Sequence, residues 1–181
     1  MRFINTDERY GLVSFLLHWI VAIIIIGLII VGLYMTRIPI SSLKLKLYGW
    51  HKQFGLLILA LLFLRIAWRL SNVTPRLPAT LPAWQKLAAR SVHFVFYLFM
   101  FFMPITGWLV TSAAGLPVSF FGWFVLPSLV EPDESNRLLY AEIHQWLAYG
   151  LILTLGAHIG AALKHHFINK DNILRRMLWP D

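Results

Sequence analysis

The sequence predicts an all-α membrane protein, a bundle of four transmembrane helices with both termini cytoplasmic. Of its 181 residues, 59% are hydrophobic and 13% charged, and the mean hydropathy is +0.68; soluble domains carry about 25% charged residues. Four long apolar runs alternate with segments rich in proline, serine and charge. Lysine and arginine fall unevenly on the two sides that those runs define. That asymmetry accounts for the formal charge of +8 as an orientation signal at helix ends. Nucleic acid is not expected as a partner.

Residues 1–11 are polar, with Thr6 expected to cap the first helix, 12–35. That run is too long for the core of a signal peptide, and no small-x-small cleavage site follows it, so it reads as an uncleaved first span. His18 lies about two turns in. A connection containing Arg37, Pro39, Ser41, Ser42, Lys44 and Lys46 leads to the second helix, 48–70, where His51 stands at the start. Pro75, Pro78 and Pro82 then interrupt the chain. The third helix, 84–111, carries His93 roughly three turns in, and Pro104 with Gly107 predicts a kink.

Residues 112–139 form the longest loop, with interfacial aromatics from Phe120 to Phe124 and the acids Glu131, Asp133 and Glu134. The fourth helix covers 142–166, and a basic, polar tail follows. With no internal repeat, residues 1–181 make one domain. The N-terminus, the second connection and the tail contain Arg2, Arg9, Arg65, Arg69, Arg76, Lys86, Arg90, Lys164, Lys170, Arg175 and Arg176. The other side contains Arg37, Lys44, Lys46, Lys52 and Arg137. Eleven against five puts both termini inside.

Orientation sorts the histidines by depth. His144 and His158 are fourteen residues apart in the fourth helix, which is about 21 Å of rise with the rings within about 40° in azimuth. His18 matches His158 on the inner side, and His51 matches His144 on the outer side. Depth alone leaves His93 a rival to His18. A lone membrane histidine more often bonds a backbone carbonyl, but four at matched depths favour two bis-histidine centres. The chain has no cysteine, which excludes disulfides, thiolate metal sites, iron–sulfur clusters and covalently attached haem. Zinc prefers ligands grouped more tightly. Haem needs two axial imidazoles, an apolar slot and polar groups at its rim. Lys52 beside His51, and Arg90 and Arg9 on the inner side, are rim candidates. With both axial positions filled, electron transfer is favoured over oxygen binding.

The stretches Leu17-His-Trp19, Trp50-His-Lys52, Leu64-Arg-Ile-Ala-Trp-Arg69, Ala88-Ala-Arg-Ser-Val-His93, Pro104-Ile-Thr-Gly107, Glu142-Ile-His144 and His158 to His166 with Lys170-Asp-Asn resemble the bacterial cytochrome b561 family. The resemblance covers essentially the whole chain. It implies two b haems, with His18 and His158 as axial ligands of the inner one and His51 and His144 of the outer. His93, Lys52 and Arg90 then belong to the haem surroundings. It also implies the bacterial inner membrane and a quinone, expected to be ubiquinone, as acceptor. His165, about two turns after His158, is a candidate quinone contact.

One branch of that family oxidises periplasmic superoxide, so superoxide is the candidate small-molecule donor, beside a periplasmic protein. The alternative is a membrane-anchor cytochrome b subunit of a larger dehydrogenase or hydrogenase, which would copurify with partner subunits. A transporter is disfavoured because no acid lies mid-membrane.

Overall fold

The structure, a computed structural model, describes residues 2–78 and 81–178. Its long helices are α1 (Leu12–Met35), α2 (Ser42–Ser71), α3 (Ala83–Ala113) and α4 (Glu134–Lys164). All four are long and apolar enough to cross a membrane. Apolar side chains point outward as well as inward: Ile23 is 67% and Leu153 76% exposed. Such a surface is stable only against lipid, and a helix is a spanning form because it satisfies its own backbone hydrogen bonds. The protein is a four-helix membrane bundle.

A small core of Val21, Ile58, Leu62 and Met100, packed by Ile24, Leu28, Leu59 and Tyr97, fills mid-bundle. Val21 is about one turn from His18, and Ile58 about two turns from His51. The core therefore stands between the two histidine levels. Pro104 lies inside α3, which continues unbroken to Ala113.

Four local expectations are corrected. Thr6 does not cap α1: its hydroxyl accepts from the Arg9 amide, and Gly11 takes the cap position. The amides of Leu12 and Val13 donate instead to the carbonyls of Arg2 and Phe3, and the Asn5 side chain accepts from Gly11 and Ser14. The N-terminal segment doubles back so closely that a Cβ on Gly11 would meet the Ile4 carbonyl oxygen at 2.5 Å. α2 begins at Ser42, not 48, because the Ser41 hydroxyl caps the Lys44 amide. α4 begins at Glu134, not 142, because the Asp133 carboxylate caps Asn136 and Glu134 pairs with Arg137 one turn on. Both extensions are polar helix beyond the apolar span, and bilayer thickness does not limit them.

Finally, α4 does not end at 166: it passes at His165 into one wider turn, His165–Asn169, closed by Lys170 at φ 55°. A short helix, α5 (Arg175–Leu178), follows.

The long loop holds a hairpin of β1 (Val118–Phe120) and β2 (Phe124–Leu126), pairing Val118 with Leu126 and Phe120 with Phe124. Phe121 in its turn adopts φ 50° and sets its ring 5.4 Å from Phe54 of α2. The rest of the loop is tied to α3: Trp108 donates to the Pro127 carbonyl, Leu129 to Ser112 Oγ and Asp133 to the Ala113 carbonyl.

At the other end, Asn5 donates to the Val73 carbonyl, Arg76 to that of Asp7, Arg176 to that of Arg76, and Trp19 to that of Met177. The N-terminal segment, the second connection and the tail thus form one terminal face, opposite the hairpin face.

Candidate haem sites

Two pairs of imidazoles meet inside the bundle. His51 of α2 and His144 of α4 have ring centres 6.2 Å apart, and His18 of α1 and His158 of α4 have theirs 6.3 Å apart. One turn per 3.6 residues brings His144 and His158 to nearly one face of α4. Among the described residues, no three His, Asp or Glu side chains group as a metal site.

The hairpin-side pair is built from small neighbours. A Cβ on Gly32 of α1 would come within 3.2 Å of His51 Cε1, and one on Gly107 of α3 within 3.4 Å of His144 Cε1. His51 therefore fills a notch in α1, while His144 lies in ordinary contact with α3 at Gly107. The Thr106 hydroxyl donates back to the carbonyls of Phe102 or Met103 and lies 2.9 Å from His144 Nδ1. With its proton spent on a carbonyl, Thr106 Oγ1 accepts from Nδ1–H, which leaves the lone pair of His144 on Nε2. His51 Nδ1 is buried with no hydrogen-bond partner, an unsatisfied state that costs about 1–3 kcal/mol.

The terminal-side pair has more company. His93 of α3 lies 5.7 Å and Phe96 5.4 Å from the His158 ring. Arg65 of α2 is within electrostatic reach of His18, His93, His158 and Tyr97. Arg69 stands 5.9 Å over the Tyr97 ring.

The structure thus brings together His18, His93 and His158 at one level, and His51 and His144 at the other. Lys52 is half-buried beside His51, whereas Arg90 is exposed on α3. His165 is engaged elsewhere, its Nδ1 2.5 Å from Asp171 Oδ2. Sequence reasoning missed Thr106, Gly32 and Arg65 as site residues. Arg65 was visible as a cation close behind the apolar run 55–64.

These residues fit a b haem. A metal–imidazole bond is roughly 2 Å, so a metal between two ring nitrogens leaves ring centres about 6 Å apart. The matching separations, the notch around His51 and the single available nitrogen of His144 meet that requirement.

Fold and site together define an integral membrane protein of four helices with paired imidazoles in its interior. A family model described as prokaryotic cytochrome b561 matches residues 9–180, and the chain belongs to that family. It is accordingly a membrane electron-transfer protein of the b-haem type. It is similar to cytochrome b561 homolog 2 of Escherichia coli (strain K12), 37% identical, with 98% of this chain and 95% of the relative covered. Cytochrome b561 homolog 1 of the same organism is 33% identical, covering 94% of this chain and 97% of that protein. A probable superoxide oxidase of Yersinia pestis is 28% identical over 94% of this chain and 96% of its own length.

Proposed function

We propose that the chain is a di-haem conduit of the bacterial inner membrane. In this reading it carries electrons from a periplasmic donor at the hairpin face to ubiquinone at a cytoplasmic terminal face. The observation that carries it is the pair of equal histidine separations, 6.2 and 6.3 Å, at two levels of one bundle. His51 with His144, and His18 with His158, would hold the two haem irons; the likeness of the two spacings favours His18 over His93. Each b haem, when bound, supplies a one-electron carrier. Thr106 holds the Nδ1 proton of His144 and keeps Nε2 for the metal, and Arg65 sets a positive field at the terminal level. His93 lines that level, and Lys52 the other.

Superoxide is the proposed donor, supported by the likeness to the Yersinia pestis protein and by charge. Arg37, Lys44, Lys46 and Lys52 follow one another from the end of α1 into the first turns of α2 with no acid among them in sequence, while the acids of the long loop are partly engaged. Glu134 is paired with Arg137, and Asp133 caps α4. An anion is steered by such a field, and salt screens it. Reduction of the purified holoprotein by superoxide should be fast at low salt and fall steeply as salt is added. Replacing Lys44, Lys46 and Lys52 together by Gln should slow it and flatten the salt dependence. A slow, salt-insensitive rate in the unmodified protein would remove superoxide as donor.

For the acceptor, a quinone carbonyl needs a hydrogen-bond donor near the membrane boundary, and quinol formation needs protons. We assign both roles to His165, with Lys86 and Arg90 of α3 as further candidate contacts. As an imidazolium, His165 would donate Nδ1–H to Asp171 and offer Nε2–H to the quinone carbonyl, giving up that proton as one of the two that quinol formation takes. His165→Ala should cut ubiquinone reduction about a hundredfold or more, the scale of a lost acid–base group, while the haem spectrum stays intact. Unchanged turnover would make His165 a boundary residue only.

A further inference from the structure

On the hairpin-side half of the bundle, an open groove of about 530 Å³ runs between α3 and α4. Leu139, Ile143, Leu147 and Gly150 line it from α4, and Phe99 from α3. Spacings of three and four residues keep the α4 positions on one face. A Cβ on Gly150 would meet the Phe99 ring at 3.1 Å, so the two helices close the groove at that end. Glu142 and Trp146 share the α4 wall, one turn apart. Glu142 stands at the start of the apolar span, and Gly150 is eight residues further on, about 12 Å along the helix. One leaflet of a hydrocarbon layer about 30 Å thick measures about 15 Å. The groove therefore descends from the membrane boundary through most of one leaflet, the reach of an acyl chain. Among the described residues, Glu142 makes no hydrogen bond or ion pair. The cation nearest to it along α4, Arg137, is paired with Glu134. A carboxylate with no cation is costly at the edge of hydrocarbon.

We propose that this groove binds one phospholipid with a primary-ammonium headgroup, a phosphatidylethanolamine, its acyl chain in the groove and its ammonium on Glu142. An ammonium brings the missing charge and three N–H donors to the carboxylate. Trp146, 68% exposed one turn below, offers its indole face to the same cation. A choline headgroup carries the charge but has no N–H to donate, and an anionic headgroup lacks the cation. The site therefore discriminates among lipids of equal chain length. None of the groove residues is one of the paired histidines, and the inference holds whichever donor or acceptor the chain uses.

The test is the thermal loss of the Soret band of the full-length holoprotein in mixed micelles containing phosphatidylethanolamine, phosphatidylcholine or phosphatidylglycerol with identical chains. Phosphatidylethanolamine should raise the midpoint by about 3 °C or more over each of the others. Glu142→Gln, which keeps the shape and removes the charge, should abolish that increment. Ile143→Phe, which fills the groove from a position 40% exposed, should abolish it as well. Native mass spectrometry gives a second readout: one phosphatidylethanolamine retained by the unmodified protein and none by Glu142→Gln. Equal midpoints in phosphatidylethanolamine and phosphatidylcholine, or an increment that survives in Glu142→Gln, would overturn the site. An increment that survives in Ile143→Phe would remove the groove as the seat of the chain. A full increment from phosphatidylcholine with millimolar glycerophosphoethanolamine would overturn the lipid as occupant. Dimers that appear with the increment and are lost in Ile143→Phe would put a second copy of the chain there instead.

Discussion

His144→Ala should halve the haem content of the purified protein, and His51→Ala should do the same. Each variant should lose the hairpin-side haem and keep the other. The two levels are insulated from one another by the packed core of Val21, Ile58, Leu62 and Met100, and separated sites respond nearly additively. The remaining Soret band should therefore keep its position and potential. By contrast, His158→Ala should remove the terminal-side haem and spare the hairpin-side one. Full haem content in either hairpin-side variant, measured against protein by amino-acid analysis, would break the pairing of His51 with His144.

Gly32→Leu should empty the same site without touching a ligand. A Cβ at Gly32 already presses His51 Cε1 at 3.2 Å, closer than comfortable carbon contact, and a leucine adds a branched group beyond it. Overpacking of this kind costs about 1–3 kcal/mol. The more telling effect is positional, because a metal site tolerates a ligand displaced by only about 0.5 Å. Gly27 is the control on the same helix: a Cβ there meets nothing within 4 Å, so Gly27→Leu should retain both haems. Gly107→Ala should be nearly silent, since its 3.4 Å approach to His144 is ordinary contact. Haem retention equal in Gly32→Leu and Gly27→Leu would show that the notch does not position His51.

The parts of the fold that obey bilayer physics were readable in the chain. Long apolar runs have few alternatives in lipid, and helical arithmetic converts fourteen residues between His144 and His158 into two depths. The structure then brings His18 to His158 and His51 to His144 across different helices. What escaped was set by contacts distant in sequence or by polar chemistry outside the apolar window. The alternating Lys-Leu stretch at 43–47 and the Glu134–Arg137 turn are helical but not apolar. Gly11 rather than Thr6 starts α1 because residues 2–5 fold back, which no local pattern announces. Thr106 looks like any helical threonine bonding its own backbone until His144 arrives from α4. Arg65 counted as an orientation charge, yet it is half-buried and acts on three histidines. The three-residue strands of the hairpin are too short to show a period.

With a haem at each level, as proposed, the stacking of the two levels along α4 would make electron transfer through this protein sensitive to membrane voltage. The levels are about 21 Å apart in a hydrocarbon layer of about 30 Å, so an electron passing between them crosses roughly two-thirds of the transmembrane field. A full crossing is worth about 2.3 kcal/mol per 100 mV, which leaves about 1.6 kcal/mol per 100 mV for this step. In the proposed orientation the electron moves toward the negative side, against the field. The drop in potential from donor to quinone must exceed that load. In that proposed direction of flow, an energised membrane would throttle the conduit, and a collapsed one would release it.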